Sequence, residues 1–380
     1  MTDQQQIIRK NLLFITDWYV PAFKGGGPIR SILNLVEHLK TDYDCYVYTS
    51  NTDFGEETPL ARIVADQWIN QNSVQVYYRS GKMSFAQIKT LIKTINPHRI
   101  YLNSMFSNMI KPILVGYASD KIIIAPRGML NNSALAVKPI RKFLYLWFLR
   151  TFGFAKHLRF HATSEGERKV IERIFPNAKS IIVAGNIPSS IATNLHSIEK
   201  NSGKLNIVFT GRMHPIKNLH LLLEALKNVN GAIVLTIIAT KEDQVYLERC
   251  KQITIELPAY ITINWLLDLP PTEIQQHLLN AHLFALLSEV ESFGHAIFEA
   301  LAVGCPVIIS NNTPWKHLEQ QKAGIDFPLN NMQQITLGLQ RFVDMENHEW
   351  QSFRKGAHDL ASSYFNQLDV DKLYRSLFEN

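Results

Sequence analysis

The sequence predicts an α/β protein built from two doubly wound domains, and three observations lead to this fold class. The chain has 380 residues, which is long for a single hydrophobic core. Short apolar runs alternate with stretches of helical periodicity, which is typical of parallel sheets with crossover helices. This alternation restarts after a polar, weakly patterned segment at 189–204, which we interpret as the linker. We expect domains at 1–195 and 196–360.

The elements of the first half begin with a strand at 11–16, followed by three glycines and a helix at 28–39. Pro28 stands in the first turn of that helix, where proline is favoured. Short apolar runs predict further strands at 45–49, 74–78, 100–103, 121–125, 159–162 and 180–183.

The second half repeats the scheme. Strands are predicted at 205–210, 233–239, 261–265, 283–287 and 306–310. Helices are predicted at 218–229, 242–257 and 271–281, and two final helices at 348–365 and 370–378.

Composition limits the class of protein. Apolar residues make up 46% of the chain and charged residues 19%, as in globular proteins. The three cysteines lie far apart and match no metal spacing, so we expect neither a disulfide framework nor a metal site. The polar start lacks a signal sequence and no apolar run has the length of a spanning helix, so we expect a cytoplasmic protein.

The net charge of +6 favours an anionic partner. Since no nucleic-acid-binding module is recognisable, phosphorylated substrates at a membrane surface fit better than nucleic acid.

The segment 288–310 carries the strongest functional signal. It predicts a polar loop, a short helix that is apolar on nearly every face, and a buried strand. Glu299 lies inside this helix, and a carboxylate is almost never buried without a partner. Glu291 lies eight residues earlier, in the loop that leads to the helix N-terminus, and Gly294 allows close approach there. Because a helix N-terminus attracts anions, this pattern indicates a site for a polyhydroxylated, phosphorylated ligand.

In each half of the chain, a glycine-containing loop follows the first strand. Gly211, Arg212 and Lys217 place two cations at a strand end, where arginine can bind phosphate oxygens in a fork and lysine supplies a mobile charge. Gly26 and Gly27 precede the helix at 28–39 and allow backbone N–H groups to approach a phosphate or a sugar.

These motifs resemble the donor-sugar signature of retaining glycosyltransferase family 4. The matching residues are Glu291 and Glu299 with Ser-Phe-Gly after the first and Glu-Ala-Leu-Ala-x-Gly-x-Pro-Val at the second, together with Gly-Arg-x-x-x-x-Lys from Gly211 to Lys217. The resemblance implies a GT-B fold: two Rossmann-like domains facing a central cleft, with the last helix, here 361–380, crossing back to the first domain.

The resemblance also implies roles for single residues. Glu299 would bind the ribose hydroxyls of a nucleotide sugar, and Arg212 and Lys217 its diphosphate, in place of a divalent metal. Glu291 and the loop residues after it would hold the sugar, and Gly26 and Gly27 would border the cleft opposite; the loop residues are Ser292, Phe293, Gly294 and His295.

Arg127 marks a departure from the family pattern. Many members carry a histidine there, near the reacting centre, whereas this chain has Pro-Arg-Gly-Met-Leu from Pro126. An arginine can bind a phosphate but cannot act as a general base. We assign catalytic roles to Glu291, Arg212, Lys217 and Arg127 by this resemblance.

The segment 138–160 is both basic and aromatic, and two interpretations remain open. Lysines and arginines with interleaved rings can lie in a membrane interface, a position the family uses to reach lipid-linked acceptors. A core helix with a solvated basic face fits the same pattern.

The function that these resemblances imply is a retaining, metal-independent hexosyltransferase. It would move a sugar from a nucleotide sugar to a carbohydrate acceptor carried by a lipid, in assembly of lipopolysaccharide, O-antigen or capsule at the inner face of the cytoplasmic membrane. Two alternatives remain: a sugar-nucleotide 2-epimerase of the same fold, and a catalytically silent nucleotide-sugar-binding partner.

Overall fold

The computed structural model describes residues 9–82, 84–117, 119–189, 191, 195 and 197–379. The chain divides into two compact domains. The first comprises Met1–Ile187 and Asp369–Asn380, and the second comprises Pro188–Leu368.

The first domain is built on an eight-stranded sheet in the order β3-β4-β2-β1-β5-β6-β7-β8. Neighbouring strands are parallel, except that β3 and β4 are antiparallel. The strands are β1 (Asn11–Ile15), β2 (Asp44–Ser50), β3 (Trp68–Gln71), β4 (Val74–Arg79), β5 (Arg99–Leu102), β6 (Ile122–Ile124), β7 (Arg159–Ala162) and β8 (Ser180–Val183). The helices before the second domain are α1 (Gly27–Leu39), α2 (Phe85–Ile95), α3 (Lys111–Gly116), α4 (Asn132–Ala136), α5 (Pro139–Thr151) and α6 (Glu165–Ile174).

Alternate residues of β1 enter two separate cores, one on each face of this sheet. Leu13 and Ile15 pack with side chains of α2, α3, α5 and α6. Leu12 and Phe14 pack with side chains of α1 and of the last helix of the chain. Both faces are thus covered, which explains why the strands consist of almost continuous apolar runs.

The second domain has a six-stranded, wholly parallel sheet in the order β11-β10-β9-β12-β13-β14. The strands are β9 (Lys204–Arg212), β10 (Ala232–Thr240), β11 (Ile261–Leu267), β12 (Leu283–Leu286), β13 (Val307–Ser310) and β14 (Gly324–Phe327). The helices are α7 (Leu219–Leu226), α8 (Gln244–Ile255), α9 (Pro271–Leu279), α10 (His295–Ala302), α11 (Met332–Asp344) and α12 (Asn347–Gln367). The expected α/β architecture with two parallel-sheet domains is confirmed.

The final helix, α13 (Val370–Glu379), belongs to the first domain. Tyr374 and Phe378 are buried there, and the ring of Phe378 contacts that of Phe14 at 6.1 Å between centroids. The expectation that the returning segment starts at 361 is wrong. Helix α12 continues to Gln367, and Ala361 is buried in the core of the second domain.

The segment 189–204 was expected to be a linker, but its second half packs on the second domain. Lys200 is only 1% exposed, and its ammonium donates to Val343 O at 2.9 Å and to Met345 O at 2.7 Å, at the C-terminal end of α11. The boundary therefore falls at 187/188, before the expected 195/196. This contact could not be predicted, because Lys200 bonds backbone carbonyls. Any residue type has a backbone carbonyl, so such a contact leaves no signal in the sequence.

Candidate functional site

The cations and carboxylates of the donor motifs lie beyond the carboxyl ends of three adjacent strands of the second domain. Strands β10, β9 and β12 are neighbours in the sheet, and ligands in such sheets bind at this edge. Arg212 ends β9, Lys217 lies in the loop after it, and Glu291 follows β12. Fold topology therefore joins two motifs that are far apart in the sequence.

Lys217 and Glu291 form a half-buried ion pair. Lys217 Nζ lies 2.6 Å from Glu291 Oε1, and the two side chains are 16% and 13% exposed. Ser288 Oγ donates to the same carboxylate oxygen at 2.8 Å. The aliphatic part of Lys217 lies along Gly211, with Cγ 3.6 Å from the position that a Cβ of residue 211 would take. The ammonium is thus held at a defined position by both ends of its side chain.

Arg212 pairs with Glu242, a residue that sequence reasoning missed. Arg212 Nη1 lies 2.7 Å and 2.9 Å from the two oxygens of Glu242, in the loop after β10. Nε and Nη2 of Arg212 bond no other described residue, and the side chain is 34% exposed, so these donors are accessible to a ligand. Glu242 orients the guanidinium, as carboxylates commonly orient a binding arginine.

The loop before α10 is fixed by its aromatic residue. Phe293 is buried, and its carbonyl oxygen accepts a hydrogen bond from Trp315 Nε1 at 2.7 Å. Gly294 caps the helix with φ 79, a left-handed conformation that favours glycine. Ser292 is exposed, whereas Gly294 is buried. Helix α10 therefore begins from a turn that is fixed by a hydrogen bond and by a glycine cap.

Helix α10 is not buried on all sides, as its apolar sequence led us to expect. His295 and Glu299 are only partly buried. Residues four apart share one face of a helix, so these two side chains form a polar stripe that runs from the start of α10 to its middle. The opposite face, with Ile297, Phe298 and Leu301, is buried in the core.

In the first domain, the glycine loop is held by a carboxylate from the loop after β2. Asp53, which is 6% exposed, accepts hydrogen bonds from Phe23 N at 2.9 Å and Lys24 N at 3.1 Å. Gly26 adopts φ 66 as the N-cap of α1, and Gly27 is the first helical residue. An isolated aspartate carries no sequence signal, which is why Asp53 was missed.

Arg127 is the centre of a polar network in the first domain. Its Nε donates to Asn103 Oδ1 at 3.0 Å, its Nη2 to the Tyr101 hydroxyl at 2.8 Å, and its Nη1 to Asn186 Oδ1. Asn103 in turn donates to Pro28 O at 3.3 Å, so the network reaches the start of α1. Arg127 itself has φ 54, a left-handed conformation uncommon outside glycine.

The direction of the hydrogen bonds beyond Arg127 follows from a buried histidine. Burial lowers the pKa of His161 to about 3, so the ring is neutral. Its Nε2 lies 2.8 Å from Ala184 O and must carry the proton, which makes Nδ1 the acceptor for the Tyr101 hydroxyl at 2.7 Å. The Tyr101 oxygen is then free to accept from Arg127.

Residues 184–187, which end the N-terminal part of the first domain, each accept a hydrogen bond from a side chain in a different part of that domain. Ala184 and Asn186 accept from His161 and Arg127, as described. Gly185 O accepts from the Tyr374 hydroxyl at 2.7 Å, and Ile187 O from Asn34 Nδ2 at 2.9 Å. Arg127 therefore has a positioning role in addition to any contact with substrate.

We expect Arg127→Met to lower the free energy of unfolding of the first domain by about 1.5–3 kcal/mol, because it removes charge-assisted hydrogen bonds to buried oxygens. Urea unfolding followed by circular dichroism measures this. Arg173→Met, at an exposed position of α6, is the matched control and should change little. Equal effects of the two substitutions would contradict the positioning role.

Helix α5 exposes a band of large apolar side chains. Leu146 and Leu149 are buried, whereas Ile140 is 74% and Phe143 is 67% exposed. Leu144, Trp147 and, just beyond the helix, Phe152 are also exposed. Lys138, Arg141 and Arg150 are exposed on the same segment. The segment 138–160 thus combines a buried face with an exposed face that is both apolar and basic.

Among the residues that the structure describes, no group of three or more histidine, cysteine, aspartate or glutamate side chains could hold a metal ion. No helix in the described part of the chain is long and apolar enough to cross a bilayer.

Comparison with known proteins identifies the second domain. Residues 190–358 match the family model of the glycosyl transferases group 1. No curated protein matches the chain by sequence. The fold resembles that of sucrose-phosphate synthase from Thermosynechococcus elongatus, with 16% identity, a TM-score of 0.72, and 98% of this chain and 100% of that chain covered.

Two further solved structures show the same fold. WaaG, a glycosyltransferase involved in lipopolysaccharide biosynthesis, has 12% identity and a TM-score of 0.66, with 97% of this chain and 98% of that chain covered. HepE of Anabaena in complex with UDP-glucose has 15% identity and a TM-score of 0.66, with 98% and 99% covered. The GT-B fold is therefore shown, and residues 190–358 carry the match to the glycosyl transferases group 1.

Proposed function

We propose that this chain, with its glycosyltransferase group 1 domain, is a retaining glycosyltransferase of family 4 that transfers a sugar from a nucleotide sugar to a carbohydrate acceptor. The observation that carries the proposal is the half-buried pair of Lys217 and Glu291 beside the N-terminus of α10. A fixed cation, a fixed carboxylate and a helix N-terminus are what a sugar diphosphate requires.

In the proposed complex, Lys217 and Arg212 bind the donor diphosphate. They stabilise the negative charge that grows as the nucleoside diphosphate leaves, so no metal ion is needed. Glu299, on the partly exposed stripe of α10, accepts hydrogen bonds from the ribose hydroxyls. Glu291 and the N–H groups of the loop before α10 hold the hydroxyls of the sugar.

The proposed reaction needs no protein base. The acceptor oxygen forms a bond to the anomeric carbon on the face from which the diphosphate departs, while the bond between that carbon and the diphosphate oxygen breaks. The acceptor proton passes to the departing phosphate. This mechanism is consistent with a site whose fixed groups are cations, carboxylates and backbone donors.

The setting that we propose is the assembly of a surface polysaccharide at a membrane. WaaG, which shares the fold, is described as acting in lipopolysaccharide biosynthesis. The exposed apolar and basic face of α5 suits an interface rich in anionic lipid, with rings at the acyl boundary and cations at the headgroups. A cavity of about 340 Å³ beside this face is lined in part by Trp147, Arg150 and Lys156.

The first experiment is a thermal-shift panel of UDP-, GDP-, ADP- and dTDP-sugars. A ligand present at one hundred times its Kd adds about 2.7 kcal/mol of stability, which is easily detected. The UDP-sugars come first, because HepE was solved with UDP-glucose. Release of nucleoside diphosphate is then measured with and without candidate acceptors.

The outcomes of this assay separate the proposal from its alternatives. Release that depends on an acceptor supports transfer. Release without any acceptor indicates a 2-epimerase or hydrolysis. Tight binding with no turnover indicates a silent binding partner.

We expect Glu299→Ala to weaken donor binding by about 1.5–3 kcal/mol, or roughly 10- to 150-fold in Kd, because it removes hydrogen bonds to a charged acceptor. Calorimetric titration with the donor found in the panel measures this. Glu273→Ala, at an exposed position of α9, is the control. Unchanged affinity in a folded Glu299 variant would overturn the ribose assignment.

A further inference from the structure

A half-buried carboxylate lies at the carboxyl end of β1 in the first domain, outside all the motifs used above. Asp17 accepts a hydrogen bond from Ser107 Oγ on Oδ1. Its Oδ2 has no hydrogen-bond donor among the described residues. Burial raises the pKa of Asp17, while Ser107, Arg79 and Lys111 act in the opposite direction. This oxygen is not fully buried and no described donor occupies it, so it can accept a hydrogen bond from a ligand hydroxyl.

Two cations lie close enough to Asp17 to lower its pKa, although neither forms an ion pair with it. Arg79 ends β4, and Lys111 begins α3. Neither forms an ion pair within 4.0 Å with any described residue. Arg79 Nη1 donates to Gly81 O, but its Nε is buried without a partner. Lys111 Nζ lies 5.8 Å from the centre of the Tyr145 ring, on the edge of α5.

The sheet topology explains why these residues converge. Strands β4, β2, β1 and β5 are consecutive neighbours, and they are parallel, so their carboxyl ends share one edge. Asp17 follows β1, Arg79 ends β4, and Ser107 lies beyond β5. Asp66, which also interacts with Arg79, is already bonded by Ser80 N at 3.0 Å and by Ser80 Oγ. The two cations are therefore available to another anion.

We propose that Asp17, Arg79 and Lys111 form a subsite for a sugar that carries a negatively charged group, a phosphate or a carboxylate. Asp17 Oδ2 accepts a hydrogen bond from a sugar hydroxyl, and Arg79 and Lys111 bind the charged group. This inference rests on the proposed function, because it assigns the acceptor of that reaction to the class of anionic carbohydrates. Arginine is suited to both groups, since its planar N–H donors match carboxylate and phosphate oxygens.

The test measures sugar binding to the whole protein in the absence of donor, by saturation-transfer NMR. The probes are glucose 6-phosphate, glucuronate and neutral glucose. We expect both anionic sugars to bind at least about 10-fold more tightly than glucose, since hydrogen bonds to charged groups are the stronger ones. If only one anionic sugar is preferred, that result identifies the charged group.

Three variants and one control identify the residues. Arg79→Gln and Lys111→Gln should each reduce the preference for anionic sugars about 10-fold and leave glucose binding unchanged. Asp17→Asn should weaken binding of neutral glucose about 10-fold, because it weakens the hydroxyl contact. It should weaken the anionic sugars less, because it also removes a negative charge that competes for Arg79 and Lys111. Lys89→Gln, an exposed lysine of α2, should change nothing. Melting curves confirm that each variant is folded.

The inference is overturned if the wild-type protein binds glucose as well as its anionic analogues. It is also overturned if the preference survives both cation substitutions in folded variants. Failure of the proposed function has a different signature, namely no release of nucleoside diphosphate from any donor with any acceptor. Sugar binding is measured without turnover, so the two failures are distinguishable.

Discussion

Lys217→Ala is expected to lower kcat for nucleoside diphosphate release by about 100- to 1000-fold, the range seen when one stabilising donor of a transition state is removed. The donor Kd should change by a smaller factor, because the charge on the leaving diphosphate is greatest in the transition state. Steady-state kinetics with the donor from the thermal-shift panel, combined with calorimetric titration, measures both quantities.

The control for this substitution is Lys227→Ala in the same domain. Lys227 pairs with Glu224 and Glu256 at the surface, so its loss should leave turnover unchanged. Arg212→Ala should behave as Lys217→Ala does. If kcat falls no more than donor affinity, the two cations only bind the donor and do not assist its departure.

Reversing two charges on α5 is the second prediction with a large expected effect. We expect Lys138→Glu combined with Arg141→Glu to reduce binding to anionic vesicles about 1000-fold. Each basic residue near the surface contributes about 1 kcal/mol of attraction, and each reversal adds repulsion of similar size. Vesicle sedimentation measures the effect. Lys142 is left unchanged, because it lies over the Phe106 ring and donates to Ala134 O.

Three observations would accompany a genuine membrane contact. Added salt should weaken vesicle binding, because it shortens the screening length. Reversing Lys89 and Lys93, two exposed lysines of α2, should have a much smaller effect. Turnover on a soluble acceptor should survive the α5 reversal. Vesicle binding that ignores both salt and the α5 charges would refute the contact.

The motifs that we assign to the donor can be recognised in the sequence because their spacing is fixed by local geometry. Glu291 and Glu299 span one loop and one helix, and Arg212 and Lys217 span the end of β9 and the loop after it. The ion pair between Lys217 and Glu291 was not predictable from spacing. It forms because β12 pairs with β9 in the sheet, although two other strands come between them in the chain. The resemblance implied a joint role for these residues, and the structure shows the contact between Lys217 and Glu291.

The residues that sequence reasoning missed are isolated acids whose partners come from other strands. Asp53 bonds the glycine loop, Glu242 bonds Arg212, and Asp17 faces Arg79 and Lys111. Each looks like an ordinary loop acid in the sequence, because its function depends on a neighbour at least 30 residues away.

Two short strands were also missed, for a related reason. β3 has the sequence WINQ and β14 the sequence GIDF, and neither contains an apolar run long enough to stand out. The other strands were predicted because burial on both faces makes them continuously apolar. Strands whose pairing compensates for a polar sequence cannot be recognised from the sequence alone.

The place of α13 in the first domain has a consequence during protein synthesis. Tyr374 and Phe378 fill the core against β1, yet they are translated after the whole of Pro188–Leu368. At 5–20 residues per second, a ribosome needs roughly 10 to 40 s to make the second domain. The first domain is therefore begun first and completed last, and for that interval the face of its sheet that α1 and α13 share lacks the part of its cover that α13 supplies. A nascent chain of this architecture therefore presents to chaperones a first domain with all eight strands but without its last helix, while every residue of the second domain has already been made.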